Sequence, residues 1–303
     1  MHGRDFKPAE ETHRSICAEA LRAGVQRDFP DLTGRFDDCK LELAYYGDLT
    51  NAVLLGAGGH YDADLDIGDR RNALAELERI PARKGFGIRQ YDRVPGKTAR
   101  KEAMADIFAP VLGSVGLWMP LCRKLSPDFA EYLENQSDYA EAVRERLRSR
   151  LIRLMEEDEE IALISHGTGV AVAWDVLWEL SHEKQYAERF SDRKLDLWVT
   201  LGAPLGDRNV RRRLAGADKT GTDRYPTNVI AWHNVSAEDD YTCHDKTLAD
   251  DLGRMMRERI VSKVTDYKIY NPAVRYGRSN PHSSLGYLIH PRVAKILADW
   301  MSA

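Results

Sequence analysis

The chain has four cysteines, Cys17, Cys39, Cys122 and Cys243, with no Cys-x-x-Cys pair and no metal-ligand spacing. That favours reduced thiols in a cytoplasmic protein over a disulfide framework. No signal segment is visible, nor any apolar run of membrane length. The most apolar stretch, Ile107 to Leu121, is broken by Pro110, Gly113, Gly116 and Pro120, so no integral membrane segment is expected. G-x-G-x-x-G is absent, and Gly56 to Gly59 is not followed by Lys-Ser/Thr. Phosphate-cradling loops are thus missing, and no cofactor is expected. The charge of −4 is small; it gives no overall attraction for nucleic acid or anionic lipid, and Arg208 to Arg213 reads as a solvated helix face. His244 with Asp239, Asp240 and Asp245 reads as a solvated acidic loop, so no metal is expected.

What is present is ordinary globular material: 303 residues, 43% of them hydrophobic, can bury a substantial core. Glu160–Ile164, Lys194–Leu201 and Asn228–Val235 are apolar runs of strand length, and Leu41–Tyr46 makes an earlier one ending at Gly47-Asp48. Together with a strand near Lys268 they predict one mainly parallel sheet, an α/β fold with helices on both faces. Helices are expected from Pro8 to Val25, from Val170 through Trp178, and from Pro291 to Met301. Between 60 and 136 no strand is evident. Arg70–Arg79, Ala99–Leu112 and Asp128–Glu134 read as helices separated by prolines and Gly85, a helical cap inserted into a single domain of residues 1–303.

Ser165-His166-Gly167-Thr168-Gly169 joins an expected buried strand to a strongly apolar helix through a tight turn of small residues. In G-x-S-x-G the flanking small residues let strand and helix approach while a strained turn pushes the central side chain outward. Here the central residue is Gly167. Downstream come Gly202-Ala203-Pro204 at a strand exit, the acidic run Glu238-Asp239-Asp240, and Asn280-Pro281-His282 ahead of the last helix; upstream, the chain opens Met1-His2-Gly3-Arg4.

In that order, over residues 1–48 and from about Glu159 to the end, the chain resembles serine esterases and lipases of the α/β-hydrolase superfamily. The resemblance implies an α/β-hydrolase fold with Gly167 at the nucleophile position, His282 as general base, and Asp240, or alternatively Asp239, as its orienting acid. It also implies an oxyanion hole from the N–H groups of Thr168 and of Gly3 or Arg4, and a small-molecule ester or lipid-like substrate held against cap residues Phe108, Leu117 and Trp118. One departure is that the family's strand before the His-Gly pair has only Met1 here; the start is late or shortened, or His2-Gly3 is a flexible terminus. With glycine at 167, covalent turnover is expected to be impaired. An inactivated or naturally decayed hydrolase, a non-catalytic binding protein on the same scaffold, and a His282–Asp240 dyad that activates water all stay open.

Overall fold

Three short runs of mostly apolar residues and a fourth, more polar one become strands: β1 (Ala162–His166), β2 (Leu195–Leu201), β3 (Val229–Ala237) and β4 (Lys263–Ile269). The computed structural model describes residues 1–81, 83–96, 118–134, 137–240, 242–243 and 247–303. The strands form one sheet in the order β1-β2-β3-β4, every pair parallel, with Ile164 beside Val199 and Val199 beside His233. Parallel strands need crossovers, and helices supply them on both faces.

The helices that build the two layers are α1 (Glu10–Asp28), α2 (Gly47–Gly56), α3 (Ala63–Glu78), α4 (Pro127–Leu133), α5 (Asp138–Glu156), α6 (Thr168–His182), α7 (Ser284–Leu288) and α8 (Pro291–Met301). Successive strand residues point to opposite faces, so Trp198 enters one core while Leu197 and Val199 enter the other. The first core takes Leu147 and Leu151 of α5, Val170 and Leu177 of α6, and Phe129 of α4. The second takes Ile16 and Val25 of α1, Leu74 and Leu77 of α3, and Val293 and Leu297 of α8. Thirteen of the fifteen residues of α6 are buried, which explains its apolar sequence all round.

Of the helices expected between 60 and 136, two are found as α3 and α4, whereas Ala99–Leu112 lies outside the described residues. The strand expected at Leu41–Tyr46 is not one: these residues join no ladder. Their polar groups go instead to the N-terminal segment, the Tyr46 N–H to His2 Nε2 at 3.0 Å and the Tyr45 hydroxyl to the Pro8 carbonyl at 2.7 Å. The outer edge of β1 is met by Met1, whose nitrogen donates to the Ile164 carbonyl at 2.6 Å while the His166 N–H donates to the Met1 carbonyl at 3.2 Å. His2 and Gly3 are buried, so this segment is a packed part of the fold and not a flexible terminus. A groove of about 710 Å³ runs along the same edge, between Leu43 and Leu151 on one side and Leu297 and Trp300 on the other.

α6 carries one polar group deep into the first core. Asp175 is 1% exposed; its carboxylate accepts the Tyr132 hydroxyl at 2.6 Å and the Ala215 N–H at 2.7 Å. Burial pushes its acid up to about 7 despite those donors. An unfolded aspartate ionises near ~4, so between that value and about 7 the folded state binds the extra proton. Stability therefore falls as pH rises through this window. Asp175→Asn, which resembles the protonated acid, is expected to leave the Tm at pH 4 nearly unchanged and to raise it at pH 8.5 by roughly 3–8 °C. Parallel melts at the two pH values check this; equal shifts at both would refute it.

Candidate active site

The carboxyl ends of β1, β2 and β3 lie side by side, and each hands a residue to one place, as expected of an open parallel sheet. β1 ends at His166 and turns through Gly167 into α6; β2 ends at Leu201 and turns at Gly202; β3 ends at Ala237, three residues before Asp240. His282 arrives from the loop ahead of α7.

His282 Nδ1 lies 2.9 Å from Asp240 Oδ2. A carboxylate can only accept, so Nδ1 carries a proton, and in the neutral imidazole Nε2 keeps a lone pair. Asp240 is 2% exposed and fully provided with donors. Its Oδ2 also accepts the Tyr287 hydroxyl at 2.7 Å, and its Oδ1 accepts the Thr242 N–H at 3.0 Å and the Thr242 hydroxyl at 2.5 Å. The Thr242 oxygen lies 2.8 Å from His282 Nδ1, so that proton is shared. Burial alone would raise the Asp240 acid; the His282 charge and these hydrogen bonds outweigh it and hold the carboxyl well below its ordinary range. Asp239, the alternative acid, is turned away: it sits at φ 60° and accepts the Tyr91 hydroxyl at 2.8 Å.

Gly167 has φ 54° and ψ −125°, a region that strains any residue with a side chain. A Cβ there would lie 3.0 Å from His282 Nε2, 3.2 Å from its Cε1 and 3.7 Å from the Gly3 Cα. The bare imidazole nitrogen thus faces the place where a side chain at 167 would begin.

The N-terminal loop closes the other side. Tyr46 donates its N–H to His2 Nε2, so Nδ1 of His2 carries the proton and donates to the Gly3 carbonyl at 2.9 Å; the Tyr46 hydroxyl donates to the His2 carbonyl at 2.7 Å. Burial holds His2 well below its usual pKa, consistent with this neutral form. In a trans peptide the C=O and the following N–H point opposite ways, so fixing these two carbonyls turns the N–H groups of Gly3 and Arg4 away from them. Lys7, buried, donates its ammonium to the carbonyls of Arg4 and Asp5 and holds the loop curled. Among the described residues neither the Gly3 N–H nor the Thr168 N–H donates to another group, and Thr168 opens the N-terminus of α6, where partial positive charge gathers.

Close approach also dictates Gly3, Gly169 and Gly202. A Cβ at Gly3 would come within 2.9 Å of His166 Nδ1, and one at Gly169 within 2.3 Å of the His2 carbonyl oxygen. Gly202, at φ 57°, would put a Cβ 2.9 Å from Asp240 Oδ2 and 3.1 Å from His282 Nδ1. Gly202→Ala is therefore expected to wedge the dyad apart. It should lower the Tm by several degrees, about 2 kcal/mol or more, and abolish a low-field proton NMR signal from His282 Nδ1–H; retention of that signal would refute the wedge.

Gly167, Thr168, Gly3, Asp240 and His282 thus lie close together, and Arg4 follows Gly3 in the same loop. Thr242, Tyr287 and Gly202 were not legible as partners. Phe108 and Leu117 lie outside the described residues. Trp118 packs against the first core, donates its Nε1–H to Asp207 at 2.8 Å and carries the Arg213 guanidinium 5.1 Å above its ring; it makes none of the dyad's contacts. The groove beside β1 is not lined by Gly167, Asp240 or His282. His244 and Asp245 lie outside the described residues, and among those described no cluster of metal-ligating side chains occurs. All four cysteines are free, and no described helix is long and apolar enough to cross a membrane. No family model, curated protein or solved structure matches the chain.

Proposed function

We propose that this chain is an α/β-hydrolase-fold protein of the ester- or lipid-cleaving serine hydrolase type, with its covalent chemistry disabled by glycine at the nucleophile position. One observation carries the reading. Position 167 holds a strained backbone conformation whose Cβ vector points at His282 Nε2, 3.0 Å away, while the other nitrogen of that imidazole is bonded to a buried carboxylate 2.9 Å away. A packing turn needs neither the strain nor a lone pair aimed at it.

The retained groups divide the work of an acyl transfer. His282 Nε2 accepts a proton from whatever hydroxyl sits beside it, and Asp240 stabilises the imidazolium that results. The Gly3 and Thr168 N–H groups, at the head of α6, supply hydrogen bonds to a carbonyl oxygen gaining charge. The missing part is the attacking oxygen, so the glycine protein holds an ester without forming an acyl-enzyme. Restoring serine at 167 and measuring hydrolysis of a short-chain aryl ester tests the reading. If the folded serine protein is no faster, the alternative of a non-catalytic binding protein on this scaffold takes its place. Four free thiols suit a reducing, cytoplasmic setting as part of the same proposal.

A further inference from the structure

His166 is the last paired residue of β1, beside Leu201 and directly before Gly167, and its side chain is used neither by the sheet nor by the proton path. It is 8% exposed. Its Nε2 lies 2.9 Å from the carbonyl oxygen of His282; since a carbonyl only accepts, Nε2 carries the proton and Nδ1 is bare. Burial, with the neighbouring His282 charge and Lys7 acting the same way, holds His166 well below its ordinary pKa, against the opposing pull of Asp240. The ring is therefore neutral. It packs on the His282 ring at 4.6 Å and 32°, and beside Tyr287 at 5.7 Å. On its other side Gly3 approaches so closely that a Cβ would meet Nδ1 at 2.9 Å.

His166 is not a second base, because its Nε2 proton is committed to a carbonyl and its Nδ1 faces the Gly3 backbone. Nor does filling space account for the bond. The loop that delivers His282 has three consecutive carbonyls held by side chains: Asn271 Nδ2 donates to Pro281 at 2.8 Å and to Ser283 at 2.9 Å, and His166 takes the one between. Asn271 is itself fully buried, with Gly286 pressed against it. Asp240 fixes only Nδ1 of His282 and leaves the ring free to swing about that bond. What sets the height of Nε2 above position 167 is the backbone from which the ring hangs.

We propose that His166 is a positioning residue for His282: by donating its Nε2–H to the His282 carbonyl it ties the loop carrying the base to the turn carrying position 167. This rests on the reading of His282 as general base. A residue covalently next to the nucleophile position thereby gauges the distance over which the proton moves, and any shift of the turn carries the base with it.

The test uses two donor-free replacements, His166→Phe and His166→Met, which fill the space, and His166→Gln, whose amide nitrogen reaches the place of Nε2. In the glycine protein the readout is the low-field proton NMR signal of His282 Nδ1–H; in the Gly167→Ser background it is kcat against KM for an aryl ester. Phe and Met are expected to broaden or erase the signal and to lower kcat about 10- to 100-fold with KM nearly unchanged, the cost of roughly an ångström of misplacement. Gln is expected to keep the signal and most of kcat. Should either donor-free protein match its parent in both readouts, or Gln fare no better than Phe, the positioning role is wrong. If Gly167→Ser itself is inactive, the proposed function fails, while the NMR arm, which needs no turnover, still decides the role of His166.

Discussion

Gly167→Ser is expected to create an esterase, raising hydrolysis of a short-chain aryl ester by about 10³-fold or more over the glycine protein. Removing one member of such a triad commonly costs roughly 10⁴ to 10⁶ in turnover, so even imperfect restoration should stand clear of background. A Cβ at 167 starts 3.0 Å from His282 Nε2, and the hydroxyl one bond further on lies within hydrogen-bond reach of that nitrogen. Its oxygen attacks the ester carbon, the proton passes to Nε2, and the carbonyl oxygen moves toward the Gly3 and Thr168 N–H groups. The alcohol leaves with the proton from His282, and water repeats the sequence on the acyl-enzyme. Two costs oppose this. The approach is tighter than an ordinary contact, so His282 must give by a few tenths of an ångström, and φ 54° strains serine by about 1–3 kcal/mol. Both reduce the Tm by a few degrees without removing the chemistry. Adding His282→Ala to the serine protein should return the rate to background; equal rates with and without His282 would show that it is not the base.

The parts of this arrangement that are contiguous in sequence were legible, and the parts built by contact were not. Strands β1 to β3 announce themselves as short apolar runs, and α6 as a helix apolar on every face, because both are buried from two sides. The turn at 165–169 is readable since close packing of strand against helix demands small residues. The choice between Asp239 and Asp240 is not, because adjacent carboxylates differ only in where the backbone aims them; the left-handed φ of 60° at Asp239 sends it to Tyr91. Thr242 and Tyr287 look like any loop threonine and helix tyrosine until the fold brings their hydroxyls to one carboxylate. Leu41–Tyr46 misleads for the same reason in reverse. Its apolar residues are buried by packing, while the pairing edge that a strand would need is met by Met1.

Asp240→Asn, placed in the serine protein, is expected to lower kcat by roughly 10³- to 10⁴-fold while leaving KM within a few-fold. The asparagine oxygen still accepts from the Thr242 N–H and hydroxyl, which lie on Oδ1 at 3.0 and 2.5 Å. Its amide nitrogen then occupies the place of Oδ2, where His282 and Tyr287 both now donate. Two donors cannot share a hydrogen bond, so the imidazole must move its proton to Nε2 and accept at Nδ1. The base then presents an N–H to the serine hydroxyl in place of a lone pair, which removes proton transfer but not substrate binding. The same substitution carries a stability signature. The Asp240 carboxyl is held below its unfolded value, so its contribution is fully present above pH ~4 and is lost as pH falls through the depressed folded value. The Asn protein should therefore melt below its parent at pH 7, and the gap should narrow in acid below that point. A variant with undiminished kcat, or a Tm gap that stays constant down to pH 3, would mean that the contact between His282 and Asp240 orders the loop without serving as the acid and base of a hydrolase.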